Sequence, residues 1–276
     1  MTPEVPPPAG KGKVPVWRTA MESYRFVFSN LDRFFALGWL PLLITFAGYM
    51  ASDVLDDVGG GENASVADWV SDIGLEAVSL AMYAVFAVRW HRFFLLGEHE
   101  SVFSEFLVAR NWRFLGYTLL LDFAPFAPMF IMSHVAIETT NVLFGLYSWA
   151  ASILIIVLLR FSLVLPGTAV DRPLGLGEAW HKMLGHTWRF IGAFFLVAIL
   201  YVIPFWIVSA VFGQSLSGGI TNGASEPTIG AFFATNAAMA IFGFLATAVG
   251  ITVLSKFYRH IVGGETGKGG GAAAGP

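Results

Sequence analysis

The chain contains no cysteine, which excludes disulfides, thiolate metal sites and a cysteine nucleophile. It is almost as short of charge. Only 13% of its 276 residues are charged, about half the roughly 25% of a soluble domain. No basic run of five or more residues is present, and the net charge of −3 gives no footprint for a nucleic-acid partner. The motifs of common chemistry are missing too. There is no His-Glu-x-x-His, no Gly-x-Ser-x-Gly and no phosphate-binding glycine loop. His91 and His99 are eight apart and His181 and His186 five apart, whereas one helix face presents ligands at three or four. No metal site or cofactor is expected.

What remains is apolar. Hydrophobic residues make up 56% of the chain, with 26 Phe and nine Trp, and the mean hydropathy is +0.67. That composition is a membrane protein's, since a spanning helix needs about 20 mostly apolar residues. Six stretches qualify: Phe34–Leu55, Ile73–Val88 (running on towards Leu96), Phe114–Ile137, Val142–Leu165, Phe190–Phe212 and Ala231–Leu254.

The stretches are organised by a repeated corner. Trp112-Arg113-Phe114-Leu115-Gly116 returns as Trp188-Arg189-Phe190-Ile191-Gly192, and a looser copy reads Asp32-Arg33-Phe34-Phe35-Ala36. The arginines are 80 and 76 positions apart, a periodicity that points to tandem units. The return stretches echo one another as well: Arg92-Phe-Phe-Leu-Leu-Gly97-Glu98, Arg259-His-Ile-Val-Gly-Gly264-Glu265 and, more loosely, Arg160-Phe-Ser-Leu-Val-Leu-Pro166-Gly167. Ahead of each corner lies an amphipathic stretch. In the first, Trp17, Ala20, Met21, Tyr24, Val27 and Leu31 share one helical face, with Arg18, Glu22, Arg25 and Ser29 opposite. Leu176, Ala179, Trp180, Met183, Leu184 and Thr187 repeat that pattern, and Val102, Phe103, Phe106 and Leu107 shorten it. Such helices lie in the plane of the interface.

The expected fold is therefore all-α: a polytopic bundle of six transmembrane helices built from three tandem hairpin repeats, each preceded by an amphipathic interfacial helix. The repeats run over about 17–98, 99–167 and 168–262. A Pro-rich N-terminus (1–16) and a Gly/Ala-rich tail (263–276) are expected to be disordered, and neither reads as a signal peptide or lipidation site. With both termini cytoplasmic, all 16 Lys and Arg fall on one side, and the opposite loops carry only acids; this is the positive-inside pattern. The bacterial cytoplasmic (inner) membrane is the expected location.

The candidate site residues follow from depth. Arg33, Trp112, Arg113, Trp188, Arg189 and Trp180 are interfacial anchors, because arginine snorkels to the phosphates and Trp favours the same level. Gly116 and Gly192 are expected to admit a neighbouring helix. Asp122 lies nine positions beyond Arg113, about 13 Å down a helix at 1.5 Å per residue. An acid at that depth is expected to pair, with Arg160 or Arg89, or to serve a transport path. Pro41, Pro125, Pro128 and Pro204 are expected to kink their helices. Small residues from Ala234 to Gly250 are expected to make the sixth helix central.

The run Arg160 to Pro166, then Gly177-Glu178-Ala179-Trp180 and Thr187-Trp188-Arg189, with Arg89-Trp90-His91-Arg92 to Gly97-Glu98, resembles a group of bacterial six-helix inner-membrane proteins. That group is similar to the membrane domain of some bacterial glycerophosphodiester phosphodiesterases. The resemblance covers residues 17–262 and implies a membrane domain without the phosphodiesterase barrel, so no catalytic residue comes with it. The expected function is non-enzymatic: binding or organising membrane lipids or a partner membrane complex. The alternative is a small transporter or permease-like component using Asp122 and the Pro-kinked third helix.

Overall fold

A computed structural model describes residues 13–59, 66–98, 108–123, 141–199, 202, 206 and 229–263. Among the described residues every regular element is helical. Helix α1 spans Val16–Ser29, α2 Leu31–Gly59 and α3 Val66–Leu96. Helix α4, Ala109–Thr118, runs on as a π-helical turn over Leu119–Phe123. Helix α5, Asn141–Leu158, tightens to a 3-10 turn at Leu159–Phe161 and is followed by the short α6, Val164–Ala169. Helix α7 covers Leu176–Met183, α8 Thr187–Ile199 and α9 Ile229–Ile261.

Three segments are long and apolar enough to cross a membrane: Leu31–Gly48, Gly145–Ala169 and Asn236–Ile261. They correspond to the first, fourth and sixth expected spans. The second lies within α3, and Thr187–Ile199 is a shorter apolar helix at the start of the fifth. The remainder of the third and fifth, with Pro125, Pro128 and Pro204, lies outside the described residues, as does the amphipathic stretch of Val102 to Leu107.

Local chemistry sets the breaks. Asn30 ends α1 by giving its side-chain Nδ2 to the Phe26 carbonyl at 2.7 Å, satisfying an acceptor that the helix end leaves open. Gly97 ends α3 in the left-handed region (φ 70) with its N–H on the Phe93 carbonyl at 3.1 Å, a glycine cap. The stretch from Leu176 to Thr187 is not one helix, as its spacing suggested. Gly185 (φ 82) turns the chain after Met183, so Thr187 opens α8 instead.

The core is aromatic. Phe34, Phe114 and Phe190, the phenylalanines of the three corners, are each 1% exposed. Phe34 meets Trp90 edge-on at 6.2 Å, and Phe190 meets Phe257 edge-on at 5.1 Å. Each such pair contributes about 0.5–1.5 kcal/mol beyond area burial. Helix α9 is central and packs on α1, α2 and α3; Ala240 and Ala248 are buried, and a Cβ on Gly250 would sit 3.4 Å from the Phe194 ring.

Helix α1 corrects one expectation. Its apolar residues do not all face outward: Ala20 and Val27 enter the bundle with Thr19 and Ser23, while Trp17 and Phe28 stay exposed. The two corner glycines also differ. A Cβ on Gly192 would meet Val16 at 3.3 Å, but one on Gly116 would meet nothing within 4 Å among the described residues. Gly116 is exposed, and no described residue comes close to it there.

Candidate functional site

Among the described residues the largest polar arrangement gathers where α3 ends and α4 begins. Arg92 lies in the last turns of α3. The left-handed Gly97 folds the chain back, so that Glu98 takes the Arg92 guanidinium through two parallel bonds, Nε to Oε2 at 2.6 Å and Nη2 to Oε1 at 2.7 Å. This fork-to-fork geometry is the strong form of the contact. Arg92 Nη1 also donates to the Ala169 carbonyl at 3.1 Å and to Asp171 Oδ2 at 2.7 Å. Arg110, from α4, donates to the same Oδ2 at 2.6 Å.

Asp171 is delivered by a buried turn. Helix α6 is inside the protein, and Arg172 N–H closes on the Gly167 carbonyl at 2.9 Å. Gly167 is required there, because a Cβ would stand 2.9 Å from the Arg172 carbonyl oxygen. The chain then passes through Asp171 at φ 57, a region that Asp visits more readily than most residues. Partial burial acts to raise the Asp171 carboxyl. The hydrogen bonds and charges of Arg110 and Arg92 outweigh it and hold the group below the ordinary aspartate value.

Beside this network is a cavity of about 10 Å³ lined by Leu37, Val88, Arg89, Arg92, Glu98, Arg110 and Asn111, room for about one water. Arg89 and Asn111 are each 7% exposed. Three guanidinium groups thus face two carboxylates at one end of the bundle.

A second set of charges ties α1 to the same end. Glu22 accepts from Arg18 Nε at 2.6 Å and Lys256 Nζ at 3.0 Å. Tyr24 donates to the Val197 carbonyl at 2.9 Å, and Arg189 to the Val14 carbonyl at 2.8 Å.

Trp112 and Trp188 are 57% and 74% exposed, and Arg113 is exposed beside Trp112. Arg33 is half exposed, 3.7 Å from Asp32. Trp180 is tied inward, tilted against Phe161 at 5.3 Å and beneath the Arg160 guanidinium at 4.4 Å. That cation–π contact joins α7 to the end of α5. Asp122 falls in the π-helical turn, but its side chain, and with it the expected pairing to Arg160 or Arg89, lies outside the described residues. The structure separates the two arginines, Arg89 beside the cavity and Arg160 over Trp180.

No pattern in the sequence singles out Asp171. Arg92 and Glu98 stand out there only as an echo between return stretches, although glycine between opposite charges is a usable signal for a folded-back pair. For Asp171 the one clue was the Asp-Arg-Pro that follows Pro166-Gly167, a turn signature with no indication of partners. Among the described residues no three His, Asp or Glu side chains stand together as a metal site. Comparison with known proteins found no matching family model, curated protein or solved structure.

Proposed function

We propose that the chain is a six-helix protein of the bacterial cytoplasmic membrane, built from three hairpin repeats with both termini cytoplasmic. It works by binding lipids or a partner membrane complex rather than by catalysis. The observation that carries this reading is the exposed apolar surface. Trp149 is 75% exposed, Phe195 64%, Leu146 62% and Ile153 59%, far more than a water-soluble monomer leaves bare. Lys256, Arg189, Arg92 and Arg110 meanwhile take partners at one end, on α1, the loops and the segment before α1.

The corner phenylalanines support the repeats. All three are buried to the same degree, and Trp90 and Phe257, which receive Phe34 and Phe190 edge-on, each stand two positions before the arginine of a return stretch. The likeness to the membrane domain of some glycerophosphodiester phosphodiesterases is part of the same proposal and brings architecture without catalytic residues. Transport through Asp122 is a second reading, favoured by the π-helical turn that holds this residue, since such turns recur at functional sites.

Single cysteines test the topology directly, because the native chain has none. A cysteine at Ser217 is expected to react with an impermeant reagent in intact cells, and labelling only after membrane disruption overturns the orientation. Lipid and protein co-purifying in mild detergent identify what is bound; recovery of the chain from the soluble fraction, free of membrane, overturns the reading as a whole.

A further inference from the structure

We propose that the arginine cleft between α3 and α4 binds the phosphate of an anionic phospholipid headgroup, with Asp171 as the internal counter-ion that the phosphate displaces. The inference rests on the membrane reading above and names the ligand of this one site. Arg89, Arg92 and Arg110 converge on the cavity with Asn111, and clustered guanidinium groups are the usual recognition of phosphate. Basic pockets between membrane helices on the cytoplasmic side are where anionic headgroups bind. The neighbouring Trp112 and Arg113 are exposed, which sets the cleft at headgroup depth beside a lipid-facing surface.

The cavity of about 10 Å³ is too small for a phosphate as it stands, so a phosphate must take the place of a carboxylate held by the arginines that line it, either Glu98 in the lining or Asp171 beside it. The two carboxylates are not equally held. Glu98 grips Arg92 through two parallel bonds and its side chain is 31% exposed. Asp171 reaches both arginines through a single oxygen, its side chain is 58% exposed, and its backbone is left-handed, a conformation that side chains with a Cβ disfavour. Exchanging Asp171 for a phosphodiester keeps the charge of the cleft unchanged and adds oxygen acceptors.

The test follows the thermal midpoint of the full-length protein in detergent as phosphatidylglycerol, phosphatidylcholine or inorganic phosphate is added. Phosphatidylglycerol is expected to raise the midpoint by several degrees and the other two are not. Asp171→Asn is expected to lower the half-saturating concentration of phosphatidylglycerol several-fold, because the internal competitor has lost its charge. Arg110→Gln should abolish the response, while Arg25→Gln, on the exposed face of α1 and outside the cleft, should keep it. If Arg110→Gln does not fold, Arg110→Lys keeps the charge, loses the fork and is expected to bind several-fold more weakly. Unchanged or weaker binding by Asp171→Asn overturns the proposal, as does an equal response to phosphatidylcholine or an equal loss in Arg25→Gln. An equal effect of inorganic phosphate reassigns the cleft to a free anion and overturns the lipid source. Carbonate extraction separates these failures from that of the membrane reading: a chain that stays in the membrane fraction but ignores phosphatidylglycerol sinks this inference alone.

Discussion

Trp90 of α3 donates its indole N–H to the hydroxyl of Thr252 on α9 at 2.9 Å, deep in the core. That hydroxyl passes its own proton to the Ala248 carbonyl at 2.7 Å, so it receives from Trp90 with a lone pair. One position on, His91 Nδ1 stands 2.7 Å from Ser255, whose hydroxyl donates to the Ile251 carbonyl at 2.8 Å. The arrangement makes His91 the donor, with its proton on Nδ1. Two adjacent residues of α3 thus reach two hydroxyls three positions apart on α9, which pins the register of the helices.

The Thr252 hydroxyl is therefore expected to matter more than its size suggests. Thr252→Val leaves the buried indole N–H without an acceptor, a loss of about 1–3 kcal/mol, whereas Thr252→Ser keeps the acceptor and should fall nearer the native value. Thermal unfolding in detergent distinguishes the two. Equal midpoints for Val and Ser would show that the hydrogen bond contributes nothing.

Gly167 and Gly116 should respond oppositely to alanine. At Gly167 the added Cβ meets the Arg172 carbonyl oxygen at 2.9 Å, and backbone must shift, loosening the turn that carries Asp171. At Gly116, in α4, the Cβ meets nothing within 4 Å among the described residues, and replacing a helical glycine is worth roughly 0.5–1 kcal/mol. Gly167→Ala should lower the unfolding midpoint and Gly116→Ala should leave it level or raise it. The reverse order would mean that the turn is not as tight as drawn.

The stabilisation from Asp171 should depend on pH in one direction. Its folded carboxyl sits below the ordinary value, so the contribution is complete above the unfolded value of about 3.9 and is lost as pH falls through the lower folded value. With the side chain 58% exposed, solvent screening holds it to at most about 1 kcal/mol. Wild type and Asp171→Asn should therefore differ at neutral pH and converge in acid. A gap that widens on acidification has the wrong sign for this arrangement.

Asp122 is expected to be structural. Asp122→Asn should lower the midpoint, and removing Arg160 or Arg89 in the same chain should recover part of the loss, because an unpaired buried charge is worse than none. If neither double variant improves on the single one, the ion pair is wrong and the transport reading gains. A native midpoint with lost cellular activity points to the same conclusion.

Much of the helical plan is local and could be read along the chain. The apolar lengths around Leu31–Gly48, Gly145–Ala169 and Asn236–Ile261 declare themselves without any knowledge of neighbours, because spanning a bilayer is a property of one segment. The Arg-Phe corners were legible as a period, and the phenylalanine in each is buried. Which partner each side chain takes was not legible. Arg92 meets Asp171 across 79 positions of sequence, and Arg160 covers Trp180. Among the described residues Gly192 is a contact and Gly116 is not, though both stand in the same motif. Hydropathy and spacing set where an apolar helix forms, though not always where it ends, as Gly185 shows. Its rotation, and so the choice among equally spaced side chains, is decided only when remote helices pack and their buried polar groups find partners.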